Sequence, residues 1–155
     1  MTLIIGIDPD QQKNGVAFIQ GGRIQSLHAL NFFALQAVID QHPDAIFAVE
    51  DVEANPPTFK RKLTPKANMK VSQDVGRVKG VANLIIQYLV EKDRRLHRVR
   101  PLKGQVKKAK DDGVYFNRLT GWEGKSNQDK RDAALVGLYG IKPGQYVPRP
   151  SEVPH

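Results

Sequence analysis

A run of apolar residues that stops on an acid constrains this chain more than any other feature. In LIIGIDPDQQKNGVAFI, Leu3 to Ile19, a strand-like stretch ends at Asp8, turns through Pro-Asp, and resumes as a second apolar run after Gly15. Gly21-Gly22 then offers a tight hairpin turn, and Arg23–Leu30 alternates as a third strand. Asn31 can cap a helix to about Gln41, and Ala45–Val49 reads as a buried strand that again ends on an acid, Glu50. Residues 53–69 hold three prolines and no periodicity, so a loop is expected. Ser72 to about Lys92 has strong helical spacing, His97–Arg100 is a short strand, Gly104–Lys110 a short helix, and Asn127 can cap a last helix to about Tyr139. Three strands, helix, strand, helix, strand, helix, helix is the order of an α/β domain. Its sheet would be mixed and five-stranded, a three-stranded antiparallel meander plus two parallel strands, flanked by helices. The expected domain covers 1–142. A proline-rich tail, 143–155, is expected to be loosely held.

The acids fall where chemistry is usually placed. Side chains at the carboxyl ends of strands in an open α/β sheet enter the crevice where ligands bind. Neighbouring strands would bring Asp8 and Glu50 together. Asp129 and Asp132, at i and i+3, share one face of the last helix and can point toward Asp8. Four carboxylates in one crevice repel unless cations neutralise them. Oxygen ligands suit Mg²⁺, with Mn²⁺ as a substitute, while scattered histidines and absent cysteines argue against zinc. Two such ions form the usual device for in-line displacement at a phosphodiester. Taken singly, Asp8 could cap a turn, Glu50 could belong to a solvated acidic loop with Asp51 and Glu53, and Asp129 could complement the helix dipole.

Charge distribution points to the same substrate class. The 155-residue chain has a net charge of +8. Residues 60–110 carry sixteen Lys or Arg against three acids, and residues 1–59 carry two against seven. A basic half beside an acidic pocket suits a polyanion whose backbone lies over the acids. No apolar run reaches the ~20 residues of a membrane span. The start lacks a signal-peptide layout, and without cysteine there is no disulfide framework. A soluble cytoplasmic protein is expected.

The segments IIGIDPDQQKNGVAF, AVEDV, NMKVSQDVGRVKGVANLI, RPLKGQVKKA and DKRDAALVGL together resemble the ribonuclease H-like superfamily, and within it the RuvC-type Holliday junction resolvases. The resemblance implies a Mg²⁺-dependent crossover junction endonuclease with two ions per site, held by Asp8, Glu50, Asp129 and Asp132. It implies a catalytic lysine at Lys107, with Lys108 beside it and a further basic position at Lys125. DNA contacts are expected from Phe59, Lys60, Arg61, Lys62, Arg77, Lys79, Lys107, Lys108 and Lys125. The helix carrying VGRVKGVANLI resembles the one through which the family dimerises. Gly76 and Gly80 at i and i+4 permit close helix approach there. A short divergent member would suit a phage or prophage, acting in the cytoplasm of a bacterial or phage-infected host cell. The chain departs from the family pattern at Asp10, where the turn usually has Gly, in the proline-rich loop after Glu50, and in 111–124. Asp10 reads as a turn residue able to take positive φ, or, more sharply, as a fifth carboxylate near the ions. Other readings are a nuclease for other branched DNA or RNA–DNA hybrids, a catalytically dead binding member, and an actin-like kinase. The kinase would need a longer chain and a second phosphate loop.

Overall fold

Alternating apolar residues build the sheet and decide which side each acid faces. β1 (Leu3–Asp8) pairs antiparallel with β2 (Asn14–Gln20), which pairs antiparallel with β3 (Arg23–Leu30). β4 (Ile46–Glu50) lies parallel to β1 on its other side, and β5 (Arg95–Val99) lies parallel to β4. The sheet order is therefore β3-β2-β1-β4-β5, the expected meander plus two parallel strands. The structure, a computed structural model, describes residues 1–51 and 65–154, with only the helical backbone described for 65–76.

Side chains of a strand alternate between faces, and β1 and β4 use this cleanly. Ile5, Ile7, Phe47 and Val49 point to one side, where they form a core with Leu35 and Ile39 of α1 (Phe32–Gln41) and Ile85 and Leu89 of α2 (Pro65–Glu91). Gly6, Ala48 and, by the same alternation, Asp8 and Glu50 belong to the opposite face. α5 (Gln128–Tyr139) covers that face together with α3 (Gln105–Asp111) and α4 (Gly113–Thr120). The result is a sheet sandwiched between two helical layers.

α5 lies unusually close to the sheet because glycines clear its path. A Cβ on Gly6 would run into the carbonyl of Ala133, and one on Gly15 into the carbonyl of Asp129. On the helix side, a Cβ on Gly137 would strike the side chain of Ile19. The six residues Asp132 to Gly137 are consequently all buried. Asp132 is carried into the interior by a helix whose backbone touches the strands.

Four local features differ from the sequence reading. α2 begins at Pro65, inside the stretch read as loop, because proline at the first helical position needs no amide partner. α4 was not anticipated, although its ends are plainly marked. The Asp112 side chain accepts from the Tyr115 amide, and Gly121 closes the helix at φ 76°. The C-terminal tail is not loosely held. Val147 is buried, Arg149 donates to the Asp93 carbonyl at 2.9 Å, and the Asp93 carboxylate accepts from both the amide and hydroxyl of Ser151. Asp93 supplies these acceptors from a positive-φ turn at φ 54°. Last, Asp10 does not take positive φ. The buried Asn14 closes its turn instead, accepting from the Asp10 amide at 2.9 Å and donating to the Leu30 carbonyl.

Gly15→Ala should therefore force α5 away from β2. We expect a loss of about 1–3 kcal/mol in denaturant unfolding, the usual cost of overpacking a tight interior. Unchanged stability would mean that the helix is free to shift.

Candidate active site

Three strand and helix ends converge at the mouth of the sheet. Asp8 ends β1, Glu50 ends the neighbouring β4, and Asp132 projects from the second turn of α5. Ile7 pairs with Val49, so Asp8 and Glu50 stand one step further along adjacent strands. One carboxylate oxygen from each of Asp8, Glu50 and Asp132 lies within 4.8 Å of the others. Asp8 and Asp132 are buried and Glu50 is half-buried.

Burial and mutual repulsion set the electrostatics of this cluster. Burial first, then the charges of Asp132 and Glu50, push the Asp8 carboxyl from an ordinary 3.8 up to about 10. Burial, followed by Asp132, pushes Glu50 from 4.5 up to about 7. A single cation faces the cluster among the described residues: Lys110 of α3, whose Nζ is 3.7 Å from Asp132 Oδ2. Burial works against its charge, yet the charges of Asp132, Asp8 and Glu50 outweigh it and hold the Lys110 pKa above its ordinary value. One lysine cannot offset three ionised carboxylates.

The donor set fits a hard divalent cation. All three candidate donors are carboxylate oxygens, the type that Mg²⁺ and Mn²⁺ take. Among the described residues, Asp132 Oδ2 is buried without a hydrogen-bond donor, and the cation facing it, Lys110, stands beyond hydrogen-bond length. A buried acceptor left in this state is costly unless something else satisfies it, and a metal ion would.

α3 is fixed against α5 so that Lys110 keeps its place. Arg131 Nε donates to the Lys110 carbonyl at 2.7 Å, and its Nη1 donates to the carbonyl and the hydroxyl of Ser126. Gln128 adds a bond to Asp111 at 3.0 Å. Arg131 thus adjoins Asp132 in sequence and holds the backbone of the lysine that faces it.

The remaining expected residues are placed less centrally. Asp129 is half-buried at the rim, outside the close trio. Burial first, then the neighbouring Asp10, raises its pKa. Lys107 and Lys108 are exposed on α3, with Lys107 one turn before Lys110 on the same face. Lys125 is exposed in the loop before α5, and Arg77 is exposed on α2. Lys79 is partly buried on α2. Phe59, Lys60, Arg61 and Lys62 lie outside the described residues. Lys110, Arg131 and Asn14 were missed by the sequence reading. For Lys110 the available signal was its i+3 relation to Lys107.

No protein-family model matches the sequence, and no curated protein matches it. Solved structures do. Thermus thermophilus RuvC in complex with a Holliday junction substrate superposes with a TM-score of 0.62 at 14% identity, over 89% of this chain and 91% of that one. A second Thermus thermophilus RuvC structure gives a TM-score of 0.53 at 15% identity, over 88% and 92%. The chain has a RuvC-like fold. At such identity the likeness speaks for the architecture, an α/β fold of the ribonuclease H-like kind. The site rests on this chain's own residues.

The raised carboxyls make a linkage prediction. Glu50 holds a proton in the folded state that it loses when unfolded. The stability this gives is complete below pH 4.5 and is lost as pH climbs through 7. Asp8 extends the same loss to higher pH. In EDTA, melting temperature should fall from pH 5 to 8, and Glu50→Gln should flatten the curve. At pH 8, Glu50→Gln should melt about 2–4 °C higher, the shift that roughly 1 kcal/mol gives a chain of this size. Mn²⁺ should stabilise the wild type far more at pH 8 than at pH 5. Scanning fluorimetry across that range checks all three outcomes.

Proposed function

We propose that the chain is a metal-dependent endonuclease that hydrolyses phosphodiesters at branched DNA, four-way junctions foremost, with paired cuts made by a homodimer. The observation that carries this reading is the close trio of Asp8, Glu50 and Asp132, with the buried Asp132 Oδ2 unsatisfied among the described residues, at the open end of a sheet whose fold is shared with a protein solved on a Holliday junction.

Asp8, Glu50 and Asp132 would hold the metal, with Asp129 and then Asp10 at the rim, and Mg²⁺ as two ions per site is the expected occupant. When bound, divalent cations lower the pKa of water and offset charge on the leaving oxygen. The protein's own groups do the rest. The apolar strands beneath the acids leave a low-dielectric floor, which strengthens every charge interaction above it. Lys110 offers a fixed donor beside the acids, suited to the extra charge that a phosphodiester gains as it is attacked. Lys107 and Lys108, exposed on the same helix, would bind neighbouring phosphates, as would the exposed Lys125 and Arg77. Phe59, Lys60, Arg61 and Lys62 keep the same assignment from sequence.

The homodimer reading draws on α2. Ala82, Ile85, Ile86 and Leu89 meet the core, while Leu84 and Val90 stay exposed on the same helix, and no described atom, its chain neighbours and the helix backbone apart, lies within 4 Å of a Cβ at Gly80. A second copy would cover them. Leu84→Lys should convert a dimer to a monomer in equilibrium sedimentation and make the melting temperature independent of protein concentration. A wild-type monomer at micromolar concentration would count heavily against paired cleavage.

The deciding experiment incubates the purified protein with a four-way junction, a flap, an RNA–DNA hybrid and a matched linear duplex, with and without Mg²⁺. Cleavage of the junction alone, only with metal, is expected. Preference for the hybrid would move the reading to another substrate of the same chemistry. Asp8→Asn, Glu50→Gln and Asp132→Asn should each lose several orders of magnitude in rate while still binding junction DNA. Lys110→Ala should lose about 10²–10³-fold in rate, the range for removing one charge-stabilising donor, with little change in affinity.

A further inference from the structure

β5 is the edge of the sheet among the described residues, and a cleft of about 640 Å³ follows that edge. Its cations are Arg98, Arg100, Lys103 and Lys142, with His97 besides, and among the described residues no Asp or Glu lines it. All four Lys and Arg are exposed, and none has a carboxylate within ion-pair distance among the described residues. Elsewhere on this strand the chain does pair its cations: Arg95 meets Glu152 at 4.0 Å. Four unpaired cations thus share one cleft.

The position of the cleft matters as much as its charge. Glu50 pairs in register with Val99, and the Asp51 amide donates to the Val99 carbonyl at 2.8 Å. Arg100 is the next residue. The cleft therefore opens one strand beyond Glu50, about 5 Å across the sheet, on the line that runs from Asp8 through Glu50. A nucleic-acid strand laid over the acids reaches it within a few nucleotides, since charges recur about every 3.4 Å along one strand.

We propose that this cleft is a second backbone subsite, in which Arg100 and Lys103, flanked by Arg98 and Lys142, bind phosphates of the strand being cut, a few nucleotides from the scissile bond. The inference rests on the nuclease reading and adds the direction in which the substrate leaves the acids. A competing role exists, because positive residues on an edge strand also prevent sheet-to-sheet aggregation.

The test measures binding of a fluorescein-labelled four-way junction by anisotropy in EDTA, from 50 to 300 mM salt. It uses the wild type, Arg100→Gln/Lys103→Gln, the charge-keeping Arg100→Lys/Lys103→Arg, and Arg23→Gln. Arg23 is exposed on β3, at the opposite edge of the sheet. The neutralised double variant should bind about 10–100-fold more weakly at 100 mM salt, with a log–log salt slope lower by about 2, one for each phosphate lost. The charge-keeping variant should restore the slope, and Arg23→Gln should leave it alone. A wild-type slope in the neutralised variant would overturn the subsite, and increased aggregation in that case would assign the cations to edge protection. An equal loss in Arg23→Gln would overturn it too, by showing a general effect of net charge. If the wild type binds no DNA in a salt-dependent way, the nuclease reading fails, and the subsite with it.

Discussion

The close seat of α5 on the sheet is the contact on which the rest depends. Without Cβ atoms at Gly6, Gly15 and Gly137, the helix backbone reaches the strands directly. A wider spacing would leave Asp132 at the surface, where it would be one more solvated acid. At the observed spacing it is buried beside Asp8 and Glu50, and its Oδ2 lacks a donor. Small residues in the interior here serve distance rather than flexibility.

That geometry sets fold against function. Three carboxylates in a buried crevice destabilise the ionised protein, as the upward pKa values of Asp8 and Glu50 express. The surrounding structure tolerates this because it is tied down elsewhere. Asn14 fixes the turn after β1, Arg131 fixes α3 to the start of α5, and the C-terminal residues clasp the Asp93 turn at the far end of the sheet. Strain of this kind, compensated by hydrogen bonds outside the cluster, is what a site built to accept a divalent cation should show.

The two helical layers then have different duties. α1 and α2 seal the apolar face of β1 and β4 and keep the strands rigid. α3 and α5 present titratable groups over the other face, with Lys110 and Asp132 meeting at 3.7 Å. Because successive residues of a strand point to opposite sides, the same six residues of β1 supply both a core (Ile5, Ile7) and a carboxylate of the cluster (Asp8).

Much of this was legible in the sequence. Alternation in LIIGID and IFAVE determines both the strands and the face on which Asp8 and Glu50 emerge, since the side-chain period of a strand is two. The i, i+3 spacing of Asp129 and Asp132 determines that they share a helix face. Tertiary structure decided what spacing cannot. Asp132 joins the trio and Asp129 stays at the rim, because the depth of α5 is set by which glycines it crosses. Lys110 rather than Lys107 meets the acids, because three lysines in KKAK differ only in where α3 ends relative to α5, and Arg131 sets that. The tail docks although its prolines suggest a loose chain, because Asp93, 58 residues away from Ser151, supplies its acceptors. Local patterns follow from the geometry of a single strand or helix; distances between elements follow from packing, and the chemistry of this site is a matter of those distances.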